Sequence, residues 1–421
     1  MSKIKSIKAH EILASGGYPT VEAVVELENG SLGTASVPYG ASAGTHEAAV
    51  LIDGDQKRYN GNGVLEAISN IEEKISPEIL GMNSDDQVAL DRKMIDLDGT
   101  ENKSNLGGNS ILAVSLAVAR ANSSEKGVEL YKMIRDSYQT GENFAKLPAP
   151  MVVVIEGGKH ADETTDLQEY CISALGDDSV AEKVRKSMES YHALKGVLKS
   201  NILSTNVGNE GAFAPNGIPS NEEPFKYIVE AMEKAGYVPG TDLGISIDAA
   251  ASEFYKNGKY HLSIEDKELT SNELIGYFEK WLEKYPIVSF EDMLHEDDWD
   301  AWVELKKVTD KHNVALIGDD LTVTNITRLE KAIRMDAISA ILIKLNQIGT
   351  LTETVECCML ARKNNMNTIT SHRGGGETND TAMVDLAVAV GSSYIKVGPT
   401  RGERVSKYNR LMEIERLERS N

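Results

Sequence analysis

Six short apolar runs in the second half of the chain each end in an ionisable residue: GISID at Asp248, IVSFE at Glu291, ALIGD at Asp319, AILIK at Lys344, NTITSH at His372 and SYIK at Lys396. Asp248, Glu291 and Asp319 offer only oxygen donors, which suits a hard ion such as Mg²⁺ and not zinc. Brought together, the three carboxylates would repel one another, so a cation among them has an electrostatic reason to bind. Lys344 closes a four-residue apolar run with no acid beside it in the sequence. Burial without a partner disfavours the ammonium form and lowers a lysine pKa towards the range in which it acts as a base. A lone strand whose lysine simply reaches solvent would carry the same pattern. With Arg373, the residues Lys344, His372 and Lys396 would form a basic half opposite the carboxylates. Such a site suits a small, multiply anionic substrate: cations on a carboxylate acidify the neighbouring C–H, and a lysine takes that proton.

These residues can meet only if the runs are strands of one closed sheet. The six terminal residues follow one another at intervals of 24 to 43 positions, separated by amphipathic stretches of helical length. That rhythm implies parallel βα units in an α/β barrel, whose strand ends open onto a single face. The first part reads differently. Thr20 to Leu27 and Ser31 to Val37 are strand-like around an Asn29-Gly30 hairpin signal, a β meander. Residues 63 to 136 have helical spacing, with Asn109 or Ser110 as a candidate helix cap. The expected organisation is a smaller α+β domain over residues 1–139 and an α/β barrel over 140–421, divided near the polar, proline-bearing segment Tyr138 to Pro150.

Composition narrows the partners. The net charge of −21 argues against nucleic acid or an anionic membrane, both of which need a basic footprint. An anionic ligand must then be held by a local cluster of cations or metal ions. No run reaches the roughly 20 apolar residues of a membrane span, and the alternating start MSKIKSIKAHEI is unlike a secretory signal, so a cytoplasmic protein is expected. The three cysteines, Cys171, Cys357 and Cys358, are expected to be reduced packing residues.

Ordered blocks along nearly the whole chain resemble the enolase family: VPYGASAGTHEA (37–48), LDGTENKSNLGGN (97–109), GGKHADETTDLQEY (157–170), VGNEGAFAP (207–215), IDAAASEFY (247–255), FEDMLHEDDW (290–299), IGDDLTVTN (317–325), the Lys344 run and SHR (371–373). The resemblance implies an enolase-type (β/α)8 barrel behind an α+β domain and Mg²⁺-dependent dehydration of 2-phospho-D-glycerate to phosphoenolpyruvate in glycolysis. It implies two Mg²⁺ ions, one held by Asp248, Glu291 and Asp319 and the second with help from Ser42, on a loop that also carries Ala41 to the substrate. By the same resemblance Lys344 is the base at C2 and Glu210 the acid at the 3-hydroxyl. Glu169, His160 and His372 are their neighbours, Arg373 and Gly374 lie at the phosphate, and Lys396 meets the substrate carboxylate. A homodimer or an assembly of dimers is implied too. SHR and NQIGT set the chain apart from racemases and cycloisomerases of the wider superfamily.

Several positions depart from the family pattern, and they gather at the site. Tyr39 precedes the loop, which reads YGASA and not SGAST; Gly374-Gly375-Gly376 replace a shorter, serine-bearing segment; Asn209 stands where an acid precedes Glu210. Met293 replaces a proline, GPTRGER is one residue short, and ASGGYPT (14–20) lacks the charged and amide residues of DSRGNPT. Two other readings follow: a paralogue acting on a phosphonate or carboxyphosphono compound, and a non-catalytic binding or adhesion protein on this scaffold, with secondary exposure at the cell surface.

Overall fold

The computed structural model describes residues 2–40, 44–162 and 164–420. Its first sheet is antiparallel, in the order β1 (Ile4–Leu13), β2 (Pro19–Leu27), β3 (Leu32–Ser36), with Gly30 at φ +88° in the hairpin. Alternation along β2 puts Val21, Ala23, Val25 and Leu27 wholly inside, in one hydrophobic core with the apolar residues of the helix Gly108–Lys126. That helix starts after Gly107 without a side-chain cap. The expected caps lie inside it and are used across the domain instead: Asn109 exchanges hydrogen bonds with the Leu51 backbone, and the Ser110 hydroxyl donates to the Ala67 carbonyl.

The second part is a closed eight-stranded barrel made of β4 (Ala149–Glu156), β5 (Glu169–Ala174), β6 (Leu243–Asp248), β10 (Ile287–Glu291), β11 (Ala315–Gly318), β12 (Ala340–Ile343), β13 (Asn367–Ser371) and β14 (Tyr394–Val397). A small side sheet, β7 (Tyr255–Lys256), β8 (Lys259–Leu262) and β9 (Lys267–Leu269), intervenes after β6. All six apolar runs read from the sequence are barrel strands. The fold is α/β, as expected, but the barrel is not wholly parallel: β5 runs against both β4 and β6. The connection from Gly157 to Gln168 holds only the short turn Gly158–His160, too little chain to cross back, so β5 must return beside β4. The reversal brings the start of β5 to the face where the other strands end, and Glu169 is in register with both Glu156 and Asp248.

The barrel interior is filled by Met151, Val153, Cys171, Ile317, Leu342 and Ile369, with a hydroxyl chain from Ser173 and Ser289 to Ser246 at 2.7 and 2.6 Å. All three cysteines are free and buried. A buried polar joint ties the first domain to the barrel: Asp91 accepts from the Thr352 amide at 2.9 Å, the Thr352 hydroxyl at 2.6 Å and Gln87 at 3.0 Å. Burial raises the Asp91 pKa while these donors oppose the rise. Asp91→Ala strands those donors, and we expect urea denaturation to show a loss of roughly 1–3 kcal/mol for each donor left unpaired.

Candidate active site

The barrel mouth collects the sequence-predicted side chains because each lies at or just past a strand end. Lys396 is the hub. Its ammonium sits 2.6 Å from Glu291, 2.7 Å from Glu169 and 3.0 Å from Asp248, and all four residues are buried. Glu291 and Asp248 therefore converge on the ammonium of Lys396, which the sequence reading set on the opposite half of the site, and Glu169 joins them through the reversed β5. Burial and the adjacent Asp248 push the Glu291 carboxyl well above its ordinary pKa, and burial raises Asp248 as well. One ammonium does not neutralise three buried carboxylates.

Asp319 turns elsewhere. Its carboxylate accepts from Lys344 at 2.5 Å and from the Gln347 amide at 2.7 Å, so it does not share the Lys396 ammonium. This corrects the reading of Lys344 as a lysine without an acid partner. Burial acts to lower its pKa, but Asp319 and the other nearby carboxylates, Glu291 among them, together raise it above the ordinary lysine value. The partner is invisible in sequence because it lies 25 positions upstream, on the neighbouring strand end. Thr324 fixes the lysine backbone and Gln347 together, accepting from the Lys344 amide at 3.0 Å and donating to Gln347 at 2.8 Å. Asp292 accepts from the Asp319 and Asp320 amides, and Asp292, Asp319 and Asp320 bring three carboxylate oxygens within 4.8 Å of one another.

A second group stands beside the hub. Glu210, wholly buried, lies 3.4 Å from His160 Nδ1 and 3.3 Å from His372 Nε2, and His160 Nδ1 is 3.2 Å from Glu169. Burial works against charge on Glu210, but the two imidazoles hold its carboxyl well below the usual range. Burial also opposes the imidazolium of His160, yet Glu210, Glu169 and Glu156 raise its pKa to about 9. The proton of this group thus rests on His160. Asn209 is exposed and gives Glu210 no like-charged neighbour, but Glu156 does. Its carboxylate accepts from the Glu210 amide at 3.0 Å and the Ala212 amide at 2.8 Å, fixing the bend VGNEGA, and burial with the Glu210 charge raises its pKa to about 8. Sequence reasoning missed Glu156, although it closes the run APMVVVIE just as Asp248 closes its own.

At the third corner, Arg373 is buried and pairs with Glu47 at 2.7 Å, a partner from the first domain that sequence reasoning also missed. Gly374 follows. A Cβ there would stand 2.6 Å from Glu210 Oε1 and 2.7 Å from the His160 ring, so a serine would fit only if those side chains shifted. Ala41 and Ser42 lie outside the described residues. Another cavity, of about 650 Å³, lies elsewhere, and several of its charged lining residues are already paired, Arg410 with Asp385 and Glu129, and Arg120 with Asp380. It gathers no reactive set comparable to the mouth.

A closed barrel with a lysine, carboxylate and histidine mouth, packed on a small α+β domain, defines the class. Two family models match this chain: "Enolase, N-terminal domain" over residues 4–134 and "Enolase, C-terminal TIM barrel domain" over residues 144–419. The chain belongs to the enolase family and carries an enolase-superfamily function. Among the described residues no helix is long and apolar enough to cross a membrane.

Both raised groups bind more protons folded than unfolded, His160 between its ordinary value near 6.5 and about 9, and Glu156 between 4.5 and about 8. Stability from the His160 group is complete below pH 6.5 and is lost as pH rises through 9. We expect the Tm advantage of wild type over His160→Gln to shrink across that window; an advantage that grows with pH would contradict the charge assignment.

Proposed function

We propose that this chain catalyses the Mg²⁺-dependent, reversible dehydration of 2-phospho-D-glycerate to phosphoenolpyruvate, the reaction of glycolysis, as a cytoplasmic homodimer. The observation that carries the reading is the unbalanced charge of the mouth. Asp248, Glu291, Glu169 and Asp319 face the ammonium groups of Lys396 and Lys344 and, at Glu169, the His160 imidazole. Four buried carboxylates, all of them oxygen donors, against two ammonium groups and one imidazole fit a hard divalent cation. Asp248, Glu291 and Asp319 would hold it, and Ser42 would serve a second. Bound there, Mg²⁺ would stabilise the charge that builds on the substrate carboxylate as the C2 proton leaves.

In this reading Lys344 Nζ, released from Asp319, accepts the C2 proton, while Lys396, released from its carboxylates, meets the substrate carboxylate. Arg373 binds the phosphoryl group. Glu210 delivers a proton to the departing 3-hydroxyl and draws it from His160, 3.4 Å away and protonated at neutral pH. His372 and Glu169 hold the carboxylate and the imidazole in place. The burial of these side chains keeps their electrostatic interactions strong.

A second reading, action on a related phosphonate, is favoured by Gly374 alone, since the hydroxyl expected at the phosphate is missing. Turnover of 2-phospho-D-glycerate, followed by the ultraviolet absorbance of phosphoenolpyruvate, separates the two. We expect Mg²⁺-dependent turnover that stops with chelator and falls by about 10²–10⁴-fold in Lys344→Ala. Full activity in a folded Lys344→Ala protein would sink the assignment of the base, and faster action on the phosphonate would favour the second reading.

A further inference from the structure

Three segments that depart from the family pattern, far apart in sequence, meet at one place. The turn Ser15–Gly17 of the first domain lies against the glycine segment after Arg373: the Ser15 amide donates to the Glu377 carbonyl at 2.7 Å, and the Glu377 amide donates to the Ser15 hydroxyl at 3.0 Å. Gly16 has φ +83°, and a Cβ there would stand 2.8 Å from the Gly375 carbonyl oxygen. Tyr18 stacks on Tyr39 with ring centres 4.9 Å apart and planes 12° from parallel. The Tyr39 amide donates to the Gly376 carbonyl at 2.7 Å, and its hydroxyl donates to Asn62 at 2.9 Å. Residues 375 to 377 are therefore gripped from the first domain at two points, the turn Ser15–Gly17 and Tyr39.

What they grip faces the site. Gly374 touches Glu210 and His160, and the Arg373 amide is fixed by Glu377 at 2.9 Å. Gly375, at φ +71°, makes the tight turn, and the amides of Gly374 and Gly375 have no hydrogen-bond partner among the described residues. Successive free amides in a turn make a concave anion site, and here they stand next to a buried arginine. Such a site works only if the turn is held still, because glycine backbone is otherwise the most mobile.

We propose that Gly16, Tyr18 and Tyr39 are positioning residues of the first domain that hold the Gly374–Gly376 turn so that its amides take phosphoryl oxygens in place of a serine hydroxyl. The inference rests on the proposed substrate being a phosphorylated anion. Gly16 packs on Gly375 and Tyr39 is bonded to Gly376, so the departures form one compensating set and not separate changes.

The test uses the full chain with Mg²⁺ and measures binding of inorganic phosphate by calorimetry, together with KM and kcat for 2-phospho-D-glycerate. Gly16→Ala presses on the Gly375 carbonyl, and Tyr18→Ala removes the stack at a position 41% exposed, where folding should survive. Gly17→Ala is the control, since Gly17 has the same type of backbone, φ +81°, but opens onto empty space. We expect Gly16→Ala and Tyr18→Ala to weaken phosphate binding and raise KM by about tenfold with kcat nearly unchanged, the size of one lost hydrogen bond to a charged group. Gly17→Ala should keep wild-type affinity even where its Tm falls. Equal affinity in all four proteins, an equal loss in Gly17→Ala, or a wild type that binds no phosphate overturns the proposal. A wild type that binds phosphate with the expected pattern of variants but does not turn over 2-phospho-D-glycerate would overturn the proposed reaction and leave this inference standing.

Discussion

The mouth of the barrel is organised by one interaction, the ammonium of Lys396 set among Glu169, Asp248 and Glu291. Burying three carboxylates at one point carries a large desolvation cost, and a single lysine offsets only part of it. The rest of the site follows from that shortfall. Asp319 is left to pair with Lys344, Glu210 takes its charge balance from two imidazoles, and Glu291 stays resistant to ionisation. A mouth built this way has acidic groups that could hold a cation.

Topology makes the cluster possible. Had β5 run parallel to its neighbours, Glu169 at its first residue would lie at the far end of the barrel, and Lys396 would meet two carboxylates and not three. The short β4 to β5 connection is what reverses the strand, and it also carries His160 to the mouth. Backbone economy and site chemistry are in this sense one feature.

The first domain takes part in the site as well as covering it. Glu47 pairs with the buried Arg373, Ala48 donates from its amide to the Gln347 carbonyl at 2.7 Å, and Ser15 is bonded to Glu377. Gln347 in turn holds Asp319. Asp319 and Arg373 are thus both braced from outside the barrel, which rigidifies a site whose strand ends alone would leave these side chains free to choose among rotamers.

The sequence by itself determined the six strands bearing Asp248, Glu291, Asp319, Lys344, His372 and Lys396, because an apolar run closed by a charge is a local pattern that burial imposes on each strand separately. It also determined the hairpin at Asn29-Gly30, whose positive φ is a local demand, and the family to which the chain belongs. Tertiary structure alone decided the rest. The partner of Lys344, the antiparallel course of β5, the bracing of Glu210 by Glu156 and the grip of Gly16 and Tyr39 on the glycine turn all depend on groups distant along the chain. Asn109 shows the same limit, a residue with the chemistry of a helix cap that is drawn instead to the Leu51 backbone. A side chain's type fixes what it can bond, but which charge or backbone stands beside it is set by how the strands close and the domains dock, and those neighbours shift Lys344, Glu210 and His160 away from their ordinary values.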